Sequence, residues 1–308
     1  MEYDENIIRK RTDISEGSKN TYCYAMKRLL NLDSTKDLKW FLTHPNQTHK
    51  LLKAQYTAED QTRTLVSTLA GFVAYMKYID VPKKHPKVFS SWQKVYFPYL
   101  HQLNASDGAN QANEKQMKAF VPWEHVIAKR EELGKKELGN FEHLLLCMYT
   151  LIPPRRQQDY FKVHLLKDKH TVSDDEKDKY PAYVDFTSKP PMLVVNMYKT
   201  AKTKKSWKKE LPENLLKVLK ASIKLTPRDF LFTQADNMPF KDNNAFQKSS
   251  NRQLKKIFDN PLVTINSLRH SYRTFKNGKA SLNEMKADAY DMGHSLETHL
   301  KYTFLDKK

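Results

Sequence analysis

Residues 266–273, Asn-Ser-Leu-Arg-His-Ser-Tyr-Arg, decide how the second half of the chain is read. They lie in a helical segment, so Arg269 and His270 face different directions while Arg269 and Arg273 share a face. Two cations on one face repel unless an anion lies near them, and a phosphate meets that need. Taken alone, the stretch reads more readily as an ordinary basic surface helix. Around it, the pattern from Pro212 onward is mostly helical, with one short apolar run at Asp229–Phe232. Strand-like runs precede it at Tyr183–Phe186, at Met192–Tyr198 and near Glu210-Leu211. Earlier still, Val121-Pro122 opens a helix with proline in its first turn, and Phe141 to Leu151 forms an apolar helix.

The N-terminal third reads as helices. Tyr22, Ala25, Met26, Leu29 and Leu30 recur at helical spacing after Ser18, and Leu38, Phe41 and Leu42 follow a Ser34-Thr35 start. His44-Pro45 stops that segment, and Thr57 with Asp60 resembles a capping box before Leu65, Leu69, Phe72, Val73 and Met76. Lys87 to Leu103 continues the helical pattern, with a bend expected at Pro98. Asn104 to Met117 is polar, holds Gly108 and has almost no large apolar side chain, which is the composition of a linker. The expected organisation is a helical domain at 1–104, a linker at 105–119 and a mixed domain at 120–308. The fold class is mainly α with a small β-sheet (α+β).

Composition narrows the function. Lys and Arg number 53 against 35 Asp and Glu, giving +18 over 308 residues, a charge that points to polyanionic partners. No apolar stretch approaches the length of a bilayer span, and MEYDENIIRK has no signal-peptide core. With 7 glycines and neither GxGxxG nor a Walker-type loop, a glycine-rich phosphate cradle is excluded. Cys23 and Cys147 lie in apolar helical segments without a CxxC, which argues against a disulfide framework or structural zinc.

Three further stretches carry chemistry. Pro153-Pro154-Arg155-Arg156-Gln157-Gln158-Asp159-Tyr160 follows an apolar helix, which puts its arginines at the start of the next, with Asp159 placed to orient a guanidinium. Lys199, Lys202, Lys204, Lys205, Lys208 and Lys209 cluster after a strand-like run, where most of them read as phosphate-holding residues of an exposed hairpin tip. Near the end, Asp291-Met292-Gly293-His294-Ser295 breaks one helix and begins another, and Tyr302 follows.

In this order, the stretches resemble the tyrosine recombinase (phage-integrase) family. Arg156 with Asp159 looks like that family's arginine with an acid three residues on, and Asn266-Ser267-Leu268-Arg269-His270 like its His-x-x-Arg box. Met292-Gly293-His294-Ser295 looks like its Gly-His box, and Tyr302 falls where its nucleophile lies. The likeness covers residues 121 to the end, and the helical N-terminal part is similar to the family's core-binding domain. Three features depart from the pattern: Asn266 replaces the usual histidine, Tyr302 follows His294 by eight residues rather than nine, and six residues follow Tyr302, leaving out a long C-terminal helix.

The resemblance implies a site-specific recombinase or integrase, of a mobile element or virus, that cuts and rejoins double-stranded DNA through a covalent 3′-phosphotyrosine. The implied catalytic set is Arg156, Lys202, Asn266, Arg269, His294 and Tyr302. Arg156 and Arg269 hold the non-bridging oxygens, His294 and Asn266 add donors, Lys202 protonates the leaving oxygen and Tyr302 attacks. Lys202 fits the acid best by its Lys-Thr context, with Lys199 and Lys204 behind it. No cofactor and no metal are implied. Partners are DNA and further copies, as a dimer or tetramer assembled on it, with no membrane. The location is wherever DNA is accessible, a prokaryotic cytoplasm or, for a virus, a host nucleus. A type IB topoisomerase and a non-catalytic DNA-binding descendant are the alternatives. A surface-like Tyr302 implies that Tyr302→Phe costs less than about 0.5 kcal/mol in folding.

Overall fold

Short polar side chains start many of the helices by accepting an amide hydrogen that the first turn leaves unpaired. The computed structural model of the chain describes residues 2–57, 61–108, 112–167, 173–198, 206–277 and 279–303. Two compact units result, Met1–Ala109 and Asn110–Lys308. The first holds α1 (Asn6–Arg9), α2 (Glu16–Leu30), α3 (Leu38–Thr43), α4 (Pro45–Gln55), α5 (Thr62–Tyr78), α6 (Val81–Lys84) and α7 (Pro86–Gly108). Ser15 rather than Ser18 caps α2, and Asp37 rather than Ser34 or Thr35 caps α3. Pro45 both ends α3 and opens α4, because a missing N–H costs nothing at the first helical position. Asp60 lies outside the described residues, and α5 starts at Thr62, beyond the expected Thr57 cap.

Pro98 sits inside α7, which runs on to Gly108. The Asn104–Met117 stretch is therefore helical at both ends. At its far end, Asn113 and Gln116 start α8 (Glu114–Lys118) with a reciprocal capping box.

The first unit packs α2 on α5 at a close approach. A Cβ at Gly71 would lie 2.4 Å from the Ala25 Cβ and 3.3 Å from the Tyr22 Cα. Trp92 of α7 is buried, meets Phe72 edge-on at 4.7 Å and donates its indole N–H to the Leu42 carbonyl at 2.9 Å.

The second unit continues with α9 (Trp123–Lys136), α10 (Phe141–Thr150), β1 (Val163–Leu166), α11 (Asp174–Lys177), β2 (Ala182–Asp185), β3 (Met192–Val195) and β4 (Trp207–Glu210). Then come α12 (Glu213–Leu225), α13 (Asn243–Ile257), α14 (Ile265–Lys276), α15 (Leu282–Asp291) and α16 (Leu296–Leu300). The fold is mainly α with a small sheet, as the sequence reading expects. The sheet order is β1-β2-β3-β4, with β1 parallel to β2 and the other pairs antiparallel. Alternate residues Val163, Leu165, Val184, Leu193, Val195 and Trp207 enter the main core, while Leu166, Tyr183 and Val194 form a smaller cluster. β1 is the strand the sequence reading lacks. Its free edge is taken by the short apolar run: the Leu165 N–H donates to the Asp229 carbonyl and the Leu231 N–H to the Val163 carbonyl.

Gly71→Ala sets two effects against each other. Alanine favours a helix interior by up to about 1 kcal/mol over glycine, whereas overpacking costs about 1–3 kcal/mol. At 2.4 Å from the Ala25 Cβ the steric effect wins, so the variant should unfold at lower urea than wild type. An unchanged or raised midpoint would contradict the close approach of α2 and α5.

Candidate active site

Pro153 and Pro154 do not lead into an α-helix. Arg155 lies outside any helix and Arg156 is extended ahead of a single 3-10 turn, Gln157–Asp159, so no α-helix macrodipole acts on them there. Asp159 also pairs with the other arginine: its carboxylate accepts from Arg155 Nε at 3.0 Å, both side chains being fully buried. Burial pushes the Asp159 carboxyl above its ordinary range, against the opposing pull of Arg155, Arg156 and Arg269. The Arg155 guanidinium lies 4.1 Å from the Trp207 ring centre and 5.0 Å from that of Tyr198.

The site is organised around the end of α15. A helix leaves its last carbonyls without intrahelical partners and carries partial negative charge there. Three consecutive carbonyls at this end each accept from a different arginine: Asp291 from Arg155 Nη1 at 2.7 Å, Met292 from Arg269 Nη2 at 3.3 Å, and Gly293 from Arg156 Nη1 at 2.5 Å. Gly293 is required twice over. Its φ is +76°, and a Cβ there would lie 3.1 Å from Arg155 Nη2 and 3.2 Å from Arg156 Nη1.

Arg269 reaches from this turn to the candidate nucleophile. It is 3% exposed, and its Nη1 donates to the Tyr302 hydroxyl at 2.9 Å. Burial lowers its pKa from the ordinary value, Tyr302 raises it and Arg156 lowers it further. His270 Nδ1 lies 2.9 Å from the Tyr302 carbonyl oxygen, a contact that pins the tyrosine's backbone when that nitrogen carries the hydrogen. The buried His294 ring meets the Tyr302 ring edge-on at 5.1 Å. Behind His294 lies His299, fully buried, with neither ring nitrogen hydrogen-bonded among the described residues.

Arg156, Arg269, His294 and Tyr302 therefore come together around residues 291–294. Asn266 does not join them by any hydrogen bond; it is exposed at the second residue of α14. Lys199, Lys202, Lys204 and Lys205 lie outside the described residues. Lys209 is not a free hairpin-tip cation: it belongs to β4 and pairs with Asp291 at 2.7 Å. Arg273 does not face an anion shared with Arg269. It is buried, its Nη2 is 3.3 Å from the Met285 sulfur, and the charge of Asp288 offsets it.

Tyr272 and Tyr290 are the rivals of Tyr302 as nucleophile, and Tyr272 is engaged elsewhere. Its hydroxyl donates to Asp288 at 3.0 Å, and burial together with that carboxylate pushes its phenol well above the ordinary range. Arg155, Asp291, His270 and His299 are the residues to which the sequence reading gave no role. The doubled arginine was the one available signal, since Asp159 stands three residues from Arg156 and four from Arg155. Among the described residues, no group of three or more His, Cys, Asp or Glu side chains is placed to hold a metal ion.

No protein-family profile matches the chain, and no curated protein matches it by sequence. Among solved structures, the chain is similar to the crystal structure of XerA recombinase, with a TM-score of 0.42 and 14% identity over 99% of this chain and 95% of that one. The likeness is one of distant overall fold.

Burial pulls two histidines of the site from the ordinary 6.5 to about 4: His299, aided by Arg273 and Arg269, and His270, aided by Arg269 and opposed by the Tyr302 carbonyl. The folded state thus binds fewer protons than the unfolded one between those values, so stability falls as pH drops from 6.5 towards about 4. His299→Gln should lose less stability than wild type across that window in urea titrations at a series of pH values. Equal losses would contradict a buried neutral His299.

Proposed function

We propose that the chain is a DNA strand-cleaving and rejoining enzyme of the site-specific recombinase type, working through a 3′-phosphotyrosine on Tyr302. The observation that carries this reading is the Tyr302 hydroxyl held at 2.9 Å by a buried arginine, beside Arg156 and His294 on one helix-end turn. Cleaving a phosphodiester without a metal calls for a nucleophile, positive charge on the non-bridging oxygens and an acid for the leaving group. Arg156 is half-buried and spends one N–H on Gly293, so its remaining donors can take a phosphate. Preorganised donors of this kind contribute on the order of 3 kcal/mol each in analogous oxyanion sites.

In the first step, the Tyr302 oxygen forms a bond to phosphorus, its proton passing to water, while the phosphorus–O5′ bond breaks. Arg269 Nη1 offsets charge on the attacking oxygen. Lys202 gives its proton to the departing 5′ oxygen, and rejoining reverses each transfer. DNA is the substrate, gripped by both units, and strand exchange calls for a dimer or tetramer on it. An exposed Asn266 in place of the usual histidine favours one other reading, a DNA-binding protein that no longer cuts.

A nicked suicide duplex, end-labelled and resolved on a denaturing gel, separates these readings. Wild type should yield a covalent adduct and Tyr302→Phe none; an adduct with Tyr302→Phe, or none with wild type, would overturn the proposal. The same substitution leaves a buried guanidinium N–H without its partner, so it should cost about 1–3 kcal/mol in the DNA-free protein, more than a surface tyrosine implies. Lys202→Ala should slow adduct formation on an ordinary substrate and recover on one with a 5′-bridging sulfur, since a thiolate leaves without a proton. Recovery of Lys199→Ala or Lys204→Ala instead would move the acid along the segment. Affinity should fall steeply with salt, at about −0.9 in log–log slope per phosphate neutralised; a slope shallower than about −3 would contradict a two-unit grip.

A further inference from the structure

Asp291 joins two parts of the second unit that the sequence places far apart. Its carboxylate accepts from Lys209 Nζ at 2.7 Å and from Trp207 Nε1 at 3.1 Å. Its carbonyl accepts from Arg155 Nη1 at 2.7 Å. The Arg155 guanidinium in turn lies against the rings of Trp207 and Tyr198. Trp207 and Lys209 project from β4, and Tyr198 follows β3, so the paired strands on either side of residues 199–205 are fastened to the turn that carries His294. The chain spends a mostly buried carboxylate on this junction, where the side chain of Asp291 is 13% exposed and that of Lys209 is 35% exposed.

We propose that Asp291 is a positioning residue that sets the β3–β4 pair against the Gly293-His294 turn. It thereby holds the two strands that flank residues 199–205 in a fixed place beside the turn that Arg155, Arg156 and Arg269 bind. The chemistry supports a division of labour: Arg155, through the Asp291 carbonyl, fixes the turn, while Lys209 and Trp207, through the carboxylate, fix the strand pair. This inference rests on the covalent-cleavage reading with its acid on the lysine segment.

The test uses the full chain carrying Lys209→Gln or Asp291→Asn, with nicked duplexes bearing either oxygen or sulfur at the 5′-bridging position. Lys209→Gln alters a partly exposed side chain, so it serves even where Asp291→Asn folds poorly. On the oxygen substrate, adduct formation should slow by about 10-fold or more in each variant, a partial loss of the roughly 100- to 10,000-fold that a general acid contributes. On the sulfur substrate each variant should stay within about 2-fold of wild type, because no proton is needed there. A loss of the same factor on both substrates, or no loss on either, would overturn the positioning role. A wild-type protein that forms no adduct would overturn the cleavage reading and this inference with it. Wild-type cleavage in which none of Lys199→Ala, Lys202→Ala and Lys204→Ala recovers on sulfur would remove the acid from the segment, and the inference again falls.

Discussion

Three successive carbonyls at the end of α15, each accepting from a different arginine, hold the candidate site together. Bringing three guanidiniums to one turn is costly: a pair of unit charges about 4 Å apart repels by roughly 4 kcal/mol at an effective dielectric near 20. A helix C-terminus offsets that repulsion with fixed partial charge and carbonyls that want donors. Two largely buried carboxylates lie nearby, each turned to a cation of its own: Asp159 to Arg155 and Asp291 to Lys209.

The arrangement sorts the three arginines by task. Arg155 is fully buried, ion-paired and set against aromatic rings, so it supports the turn and does not face outward. Arg269 is divided between the Met292 carbonyl and the Tyr302 hydroxyl, tying the turn to the tyrosine. Of the three, Arg156 alone is half-buried, and it donates to the turn through Nη1, which leaves it the most able to take a ligand. A glycine at 293 follows from crowding as much as from its positive φ, since two guanidiniums approach where a side chain would stand.

Much of this was legible in the sequence, for stated physical reasons. The helical pattern around Arg269 and the glycine break before His294 are both local signals, and α14, α15 and the turn follow them. Which arginine takes Asp159 was not legible, because residues three and four away are both in reach on a helix and the segment proved extended there. β1 escaped notice because four residues carry little alternation and its edge partner lies more than sixty residues on. The surroundings of Arg273 are not legible, because spacing gives the face of a helix but not what covers it; Met285 and Asp288 of α15 lie against it. The role of Asp291 depends on tertiary proximity to Trp207 and Lys209, which no local pattern encodes.

The central claim is that Tyr302, and no other side chain, takes the DNA strand. Its most direct test is peptide mapping by mass spectrometry of wild-type protein trapped on a nicked suicide duplex and digested with nuclease and protease. The account predicts a single modified peptide spanning Tyr302, heavier by a 3′-linked nucleotide. Modification at Tyr272 or Tyr290, or at a residue other than tyrosine, would contradict it.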